Sequence, residues 1–304
     1  MPPGPSLRRR TKVQVGRYLV LETLGTGATS RVVRGHDPLI DRPVAIKLFS
    51  PHLARGEARN NFFREARVVG KLSHSNIITL HDMGIEESTE TPYLVMELVE
   101  GQSLEKLLSK GSIPISTACD WAGHVALALE VAYRNGVIHG DVKPANVLIN
   151  QQNRPKLTDF GMARLASHEK RDTPLLGTPA YWSPEQIHGR AQDVRSDIFS
   201  LGVVLYEMIT GKSPFAGDSL SAVCSQILSS TPRPLAHINT SVPTALNDLV
   251  AACMEKDPAN RIASPQALAE QLFPHARRKP VGQVGAPPAP TTLRDRASRL
   301  LRSA

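Results

Sequence analysis

Between Tyr18 and Leu98 the hydrophobic residues fall in short runs bounded by Gly, Asp and Pro rather than at helical spacing. YLVLETLGTGATSRVVRGHD reads as strand, Gly-containing turn and strand, and PVAIKLF (43–49) as a third strand. ARNNFFREARVVGKL (58–72) switches to apolar residues three and four apart, the period of an amphipathic helix. NIITLHDMGI (76–85) and TPYLVMEL (91–98) return to strand character. The pattern predicts a five-stranded antiparallel sheet with one main helix.

Past Gly101 the periodicity is mainly helical. STACDWAGHVALALEVAYRNG (116–136) opens on Ser116, a capping residue type, and closes near Gly136. Short strand signals at NVLI and KLTDF precede helical stretches near 196–210, 219–229, 244–255 and 265–273. Residues 1–17 form a basic N-terminal tail expected to be disordered, 18–98 a small lobe and 99–273 a larger one. Residues 274–304 form a Pro/Gly linker and a second basic tail. In that last tail Leu293, Ala297, Leu300 and Leu301 share a helical face with Arg around it. This composition fits either a solvated tail or contact with a partner or a membrane surface.

The 304 residues carry 41% apolar and 21% charged side chains, ordinary for a globular protein. No apolar run is long enough to span a bilayer, and the basic N-terminus lacks the apolar stretch of a signal peptide. Cys119, Cys224 and Cys253 have no metal-like spacing, so reduced thiols and a cytoplasmic location are expected. The net charge of +8 raises the question of nucleic acid. The two tails carry +10, which leaves residues 13–274 at −2, so the body has no basic face to offer it.

The chemistry is concentrated in a few segments. In LGTGATSRVV, Gly25 and Gly27 let backbone approach a phosphate closely, while small residues stand at Ala28, Thr29 and Ser30. Lys47 ends VAIK, an apolar strand where an unpaired ammonium is costly, and Glu65 on the following helix is its expected partner. In HGDVKPANVLI (139–149) and LTDFGMAR, Asp141 can orient or deprotonate a hydroxyl. Lys143 can neutralise a transferred phosphoryl group, and Asn146 and Asp159 are oxygen ligands suited to Mg²⁺.

Together these segments resemble the protein-kinase signature set, from about Tyr18 to Phe273. GTPAYWSPE (177–185) resembles the substrate loop and closing motif, with Ser183 where Ala is usual. Asp197 resembles the residue that anchors the catalytic loop, and Arg261 the partner of Glu185. The wording is most similar to bacterial serine/threonine kinases of the eukaryotic-like type. The resemblance implies an α+β, bilobal fold with a small antiparallel N-lobe and a larger, mainly helical C-lobe.

It also implies ATP and Mg²⁺, with Mn²⁺ as an alternative metal, and protein substrates bearing Ser or Thr, with Lys143 and Thr178 in the serine/threonine pattern. The nucleotide would lie under Leu24, Gly25, Thr26 and Gly27. Val32, Ala45, Leu104 and Leu148 would sandwich adenine, behind Met96 as gatekeeper. Glu97, Leu98 and Val99 would present backbone hydrogen bonds, and Lys47 would hold phosphates.

Three departures stand out. Gly140 occupies the place of the arginine that normally binds an activation-segment phosphate, although every catalytic group is present. This implies an enzyme weakly dependent on that phosphorylation, with Arg164 as a lone phosphate contact and Ser167, Thr173 and Thr178 as available hydroxyls. Thr173 is the expected autophosphorylation site. Ala145 and Ser103 replace the glutamates of basic-directed kinases, so no arginine requirement upstream of the target is expected. The contrasting reading is a pseudokinase scaffold that binds nucleotide or a partner.

Overall fold

The computed structural model describes residues 13–27, 30–160, 164–165 and 179–276. Its first part is a six-stranded antiparallel sheet. In chain order the strands are β1 (Gln14–Val15), β2 (Tyr18–Thr26), β3 (Ser30–Asp37), β4 (Arg42–Phe49), β5 (Leu80–Glu86) and β6 (Thr91–Glu97). They are arranged β1-β2-β3-β4-β6-β5. The sequence pattern predicts five strands; the sixth, β1, pairs Gln14 with Leu19 and Val15 with Tyr18, in a stretch expected to lie outside the sheet. Two residues are too few to leave a periodic signal. The strand expected from 76 starts at Leu80, because Asn76–Ile78 bond instead to Leu157 further along the chain.

Period-two alternation gives the sheet two distinct faces. Val33, Val44, Ile46, Leu48, Tyr93 and Val95 form a buried apolar cluster on one side, with Tyr18 packed edge-on against Tyr93. The intervening residues Ala45 and Lys47 face the other way, beside Met96 and Val32, their cross-strand partners. That second face roofs a cleft. Helix α1 (Gly56–Val69) closes its rear, with Ala58, Phe62, Glu65, Ala66 and Val69 all on the lining side at helical spacing.

The second part is mainly helical. It contains β7 (Gly101–Ser103), α2 (Leu104–Leu108), α3 (Ile115–Arg134), β8 (Val137–Ile138), β9 (Val147–Asn150), β10 (Pro155–Leu157) and β11 (Arg164–Leu165), then α4 (Pro184–Ile187), α5 (Val194–Thr210), α6 (Leu220–Ser229), α7 (Thr244–Cys253) and α8 (Pro265–Leu272). Helix α5 is apolar nearly all round and buried along its length, the signature of a helix at the centre of a core. Helix α3 packs on it and on α8. There the bare backbone of Gly123 admits Phe273, whose ring a Cβ would meet at 2.7 Å.

Helix α3 begins one residue before Ser116, after Pro114 and without a side-chain cap, because Pro114 in an extended conformation already sets its start. Strands β7, β9 and β10 form a small sheet under the cleft, and β8 pairs with β11. Helix α2 and strands β7 and β8 are too short to show a period. No helix among the described residues is long and apolar enough to cross a membrane.

Candidate active site

A cleft of about 820 Å³ runs between the sheet and the helical part. Its lining includes Leu24, Gly25, Val32, Ala45, Lys47, Glu65, Met96, Glu97, Leu98, Val99, Asn146, Leu148 and Asp159. Most of the residues singled out from the sequence therefore reach one concave surface. Thr26 ends β2 just beyond the lining residues Leu24 and Gly25, and Gly27 donates its N–H to the Ser30 carbonyl at 2.8 Å. Ala28 and Thr29 lie outside the described residues, as do Gly161, Ser167, Thr173 and Thr178. Leu104 does not line the cleft; it is buried in the core of the helical part.

The side chain of Lys47 meets Asp159 directly, across 112 residues of chain. The sequence pointed to Glu65 as the partner of Lys47; Glu65 lines the same cleft from α1. Burial opposes ionisation of Asp159. The nearby ammonium groups of Lys47, foremost, and Lys143 help to outweigh it, and the carboxyl is held below its ordinary value. Asp159 also adopts φ +67°, a left-handed conformation that a non-glycine residue takes only at some cost.

Opposite lies the loop from His139 to Asn146. Lys143 Nζ donates to Asp141 Oδ2 at 2.7 Å, and Asn146 Nδ2 donates to the Asp141 backbone oxygen at 2.8 Å and to Oδ2 at 3.0 Å. The Asp141 carboxylate is thus fixed by two side chains from its own loop. With both donor hydrogens of the Asn146 amide committed, its Oδ1 is the atom suited to a hard cation.

The loop itself hangs on buried groups. Asp197, near the start of α5, accepts the His139 N–H at 2.9 Å and the Gly140 N–H at 2.8 Å. His139 Nδ1 accepts from Asp141 N at 3.2 Å, and its Nε2 faces the Thr158 carbonyl at 3.0 Å. A carbonyl only accepts, so Nε2 carries the hydrogen. The same ring stands edge-on to Phe160, with centroids 4.6 Å apart. One buried imidazole therefore ties the residue before Asp159 to the loop of Asp141.

Beneath the loop, Glu185 and Arg261 form a buried pair at 2.7 and 2.8 Å, and Ser196 Oγ adds a bond to Glu185 at 2.6 Å. Burial works against the Glu185 charge, but Arg261 and Ser196 hold its carboxyl below the usual range. Between the two parts, Lys156 on β10 grips the carboxylate of Glu97 on β6 at 2.8 Å, so they are also joined by charge.

Two contributors escaped the sequence reading. His139 gives no signal beyond its position beside Asp141. Gln186 does give one: Ser183 and Gln186 stand at the spacing of a capping box, and the structure contains that box. Among the described residues no group of three or more His, Cys, Asp or Glu side chains could hold a metal unaided.

The comparisons with known proteins agree with this geometry. The protein kinase domain family matches residues 18–273. The serine/threonine-protein kinase PknL of Mycobacterium tuberculosis is 37% identical over 292 residues, 94% of this chain and 72% of that protein. A probable serine/threonine-protein kinase of Clostridium perfringens is 38% identical over 82% of this chain. The chain spans only 37% of that relative's length. The kinase domain of Mycobacterium tuberculosis PknI superposes with a TM-score of 0.69 at 25% identity, covering 87% of this chain and 98% of that one. With a cleft between an antiparallel sheet and a helical body, and this match over most of its length, the chain belongs to the protein kinase domain family.

Proposed function

We propose that this chain transfers the γ-phosphoryl group of ATP to serine or threonine hydroxyls of proteins, itself included. The observation that carries the reading is the convergence of Lys47, Asn146 and Asp159 on one cleft, with the Asp141 carboxylate held beside it by hydrogen bonds from Asn146 and Lys143. The relatives named above as serine/threonine kinases support it.

Adenine fits the apolar slot of Val32, Ala45, Met96 and Leu148, with backbone groups of Glu97 to Val99 at its edge. Lys47 is then available to hold phosphate oxygens, once Asp159 turns to a cation. Asp159 and the Asn146 amide oxygen form a donor pair of the hard-oxygen kind that Mg²⁺ takes, and two protein ligands suffice where phosphates supply others. The cation supplies charge neutralisation on the phosphates.

Asp141 orients the substrate hydroxyl and accepts its proton as the oxygen bonds to the γ-phosphorus. The bond from that phosphorus to the β–γ bridging oxygen breaks, and ADP leaves with the electron pair. Lys143, 2.7 Å from Asp141, neutralises charge on the moving phosphoryl group. Catalysis by this route is mostly positioning and electrostatics.

Gly140 in place of an arginine supports weak dependence on activation-segment phosphorylation, since the partner that would bind such a phosphate is missing. Ser103 is engaged as the N-cap of α2, accepting the Lys106 N–H at 3.2 Å, and Ala145 offers no charge. Both support a substrate choice without strong demand for arginine.

The test is phosphate transfer from labelled ATP with Mg²⁺, to the protein itself and to a generic basic protein, with Asp141→Ala as control. Transfer that the control abolishes supports the reading. Absent transfer, with ATP still raising Tm, would instead identify a nucleotide-binding scaffold.

A further inference from the structure

Gly140 is held from both sides. Its N–H donates to Asp197, and its carbonyl accepts Nε2 of Gln186 at 2.8 Å. Gln186 sits on α4, in the segment that follows the substrate loop, 46 residues from Gly140. Its side chain is buried, and both ends of its amide are engaged. Oε1 accepts the Ser183 N–H at 2.8 Å and the Ser183 hydroxyl at 3.1 Å, while Nε2 reaches up to the loop.

The anchor is firm, because the preceding residue, Glu185, is locked to Arg261 and Ser196. The target is the residue immediately before Asp141. With φ at +70°, Gly140 turns the chain in a way that a side chain at this position would resist. An arginine here would couple the two segments through a phosphate; the structure couples them through a neutral amide.

We propose that Gln186 is a positioning residue for phosphoryl transfer, fixing the Gly140 carbonyl, and so Asp141, by a hydrogen bond from α4. The inference rests on the kinase reading above. It makes the register of the catalytic loop depend on how the segment after the substrate loop is seated, with no phosphate required. A group that fixes a reacting side chain acts on the transition state more than on nucleotide binding, so its loss should appear in kcat.

Gln186→Glu separates the two halves of the amide. The carboxylate can still accept from Ser183, preserving the capping box, but it has no hydrogen for Gly140. The titratable and charged groups of this network are Asp197 on the Gly140 N–H, His139 and Asp141 on either side of Gly140, Lys143 on Asp141, and Glu185 held by Arg261. Burial beside these carboxylates raises the pKa of the introduced one, and its protonated form regains a donor.

The parent, Gln186→Glu and Gln186→Met are compared in the full chain, by Tm and by steady-state phosphate transfer at about pH 8 and about pH 6, with free Mg²⁺ held constant. The expected result at the higher pH is a fall in kcat of about tenfold or more in both variants, with KM for ATP changed by less than about threefold. Relative to the parent, Gln186→Glu should recover activity at the lower pH, whereas Gln186→Met should not. If one variant fails to fold, the other gives the kcat comparison alone. A folded variant with kcat within about twofold of the parent at both pH values overturns the proposal. So does a change confined to KM, or a Gln186→Glu deficit that does not shrink on acidification. An inactive parent would instead remove the kinase reading, which the Asp141→Ala control reports separately.

Discussion

Glu185 and Arg261 are 76 residues apart in sequence and joined by two parallel hydrogen bonds in the interior of the helical part. Arg261 spends its remaining donors on the carbonyls of Arg195, Glu255 and Lys256. Arg195 lies in the first turn of α5, and Glu255 and Lys256 follow the end of α7. The pair thus works as a buried junction for four segments, including the one that carries Gln186.

Removing one partner from such a junction leaves an uncompensated buried charge, which costs about 3–5 kcal/mol. Arg261→Ala is therefore expected to lower unfolding stability by about that amount, read from urea denaturation. Replacing both residues by apolar ones of similar volume should cost less than Arg261→Ala alone. A double variant as unstable as the single one would refute this account.

The same pair predicts a pH dependence. The Glu185 carboxyl is held below its ordinary value of 4.5 in the folded protein. Its stabilising contribution is present in full well above that value, and it is lost as pH falls through the lower folded-state pKa. Unfolding free energy should therefore fall on acidification below about pH 4.5. Glu185→Gln, if folded, should show a shallower acid slope than the parent in that range.

Gly140 carries a conformational prediction. At φ +70°, a residue with a Cβ pays about 1–2 kcal/mol for the left-handed conformation. Gly140→Arg should therefore lower Tm, and at most weakly restore dependence on activation-segment phosphate. A variant of unchanged Tm would show that the loop relaxes freely at this point.

For the activation segment, Thr173→Ala is expected to keep phosphate transfer to a protein substrate within about tenfold of the parent, because no arginine precedes Asp141 to bind a phosphate at Thr173. A loss of a hundredfold or more would show that another cation does this work. Arg164 belongs to β11, which pairs with β8 just ahead of the catalytic loop, and would be the next residue to change.

Much of this was legible in the sequence, for an identifiable reason. Alternation in VAIK places Ala45 and Lys47 on one face of a strand wherever the strand goes, so the cleft face could be read before the fold was known. Short, chemically distinctive segments such as HGDVKPAN and LTDF keep their roles because those roles depend on residue spacing within one loop. The distant pairings of Glu185 with Arg261 and of Asp197 with the catalytic loop came only through the family resemblance, and two others could not be read at all. Lys47 reaches Asp159, and Gln186 reaches Gly140, through contacts that no local period encodes. Leu104 was misplaced because an apolar residue beside the cleft and one in the core beneath it look alike in sequence. The cap expected at Ser116 lost to the preceding Pro114, which had already set the helix start.

Strand β1 has a practical consequence for anyone expressing this domain. The family match begins at Tyr18, yet Val15 is buried in the sheet core, Val13 accepts the Val20 N–H, Gly16 donates to Glu86, and Arg17 bridges Asp37 and Asp82. A recombinant fragment cut at the family boundary would expose one edge of β2 and strip four tethers from the lobe that holds the nucleotide. A fragment starting upstream of Val13 keeps them, and a purification tag belongs further upstream still.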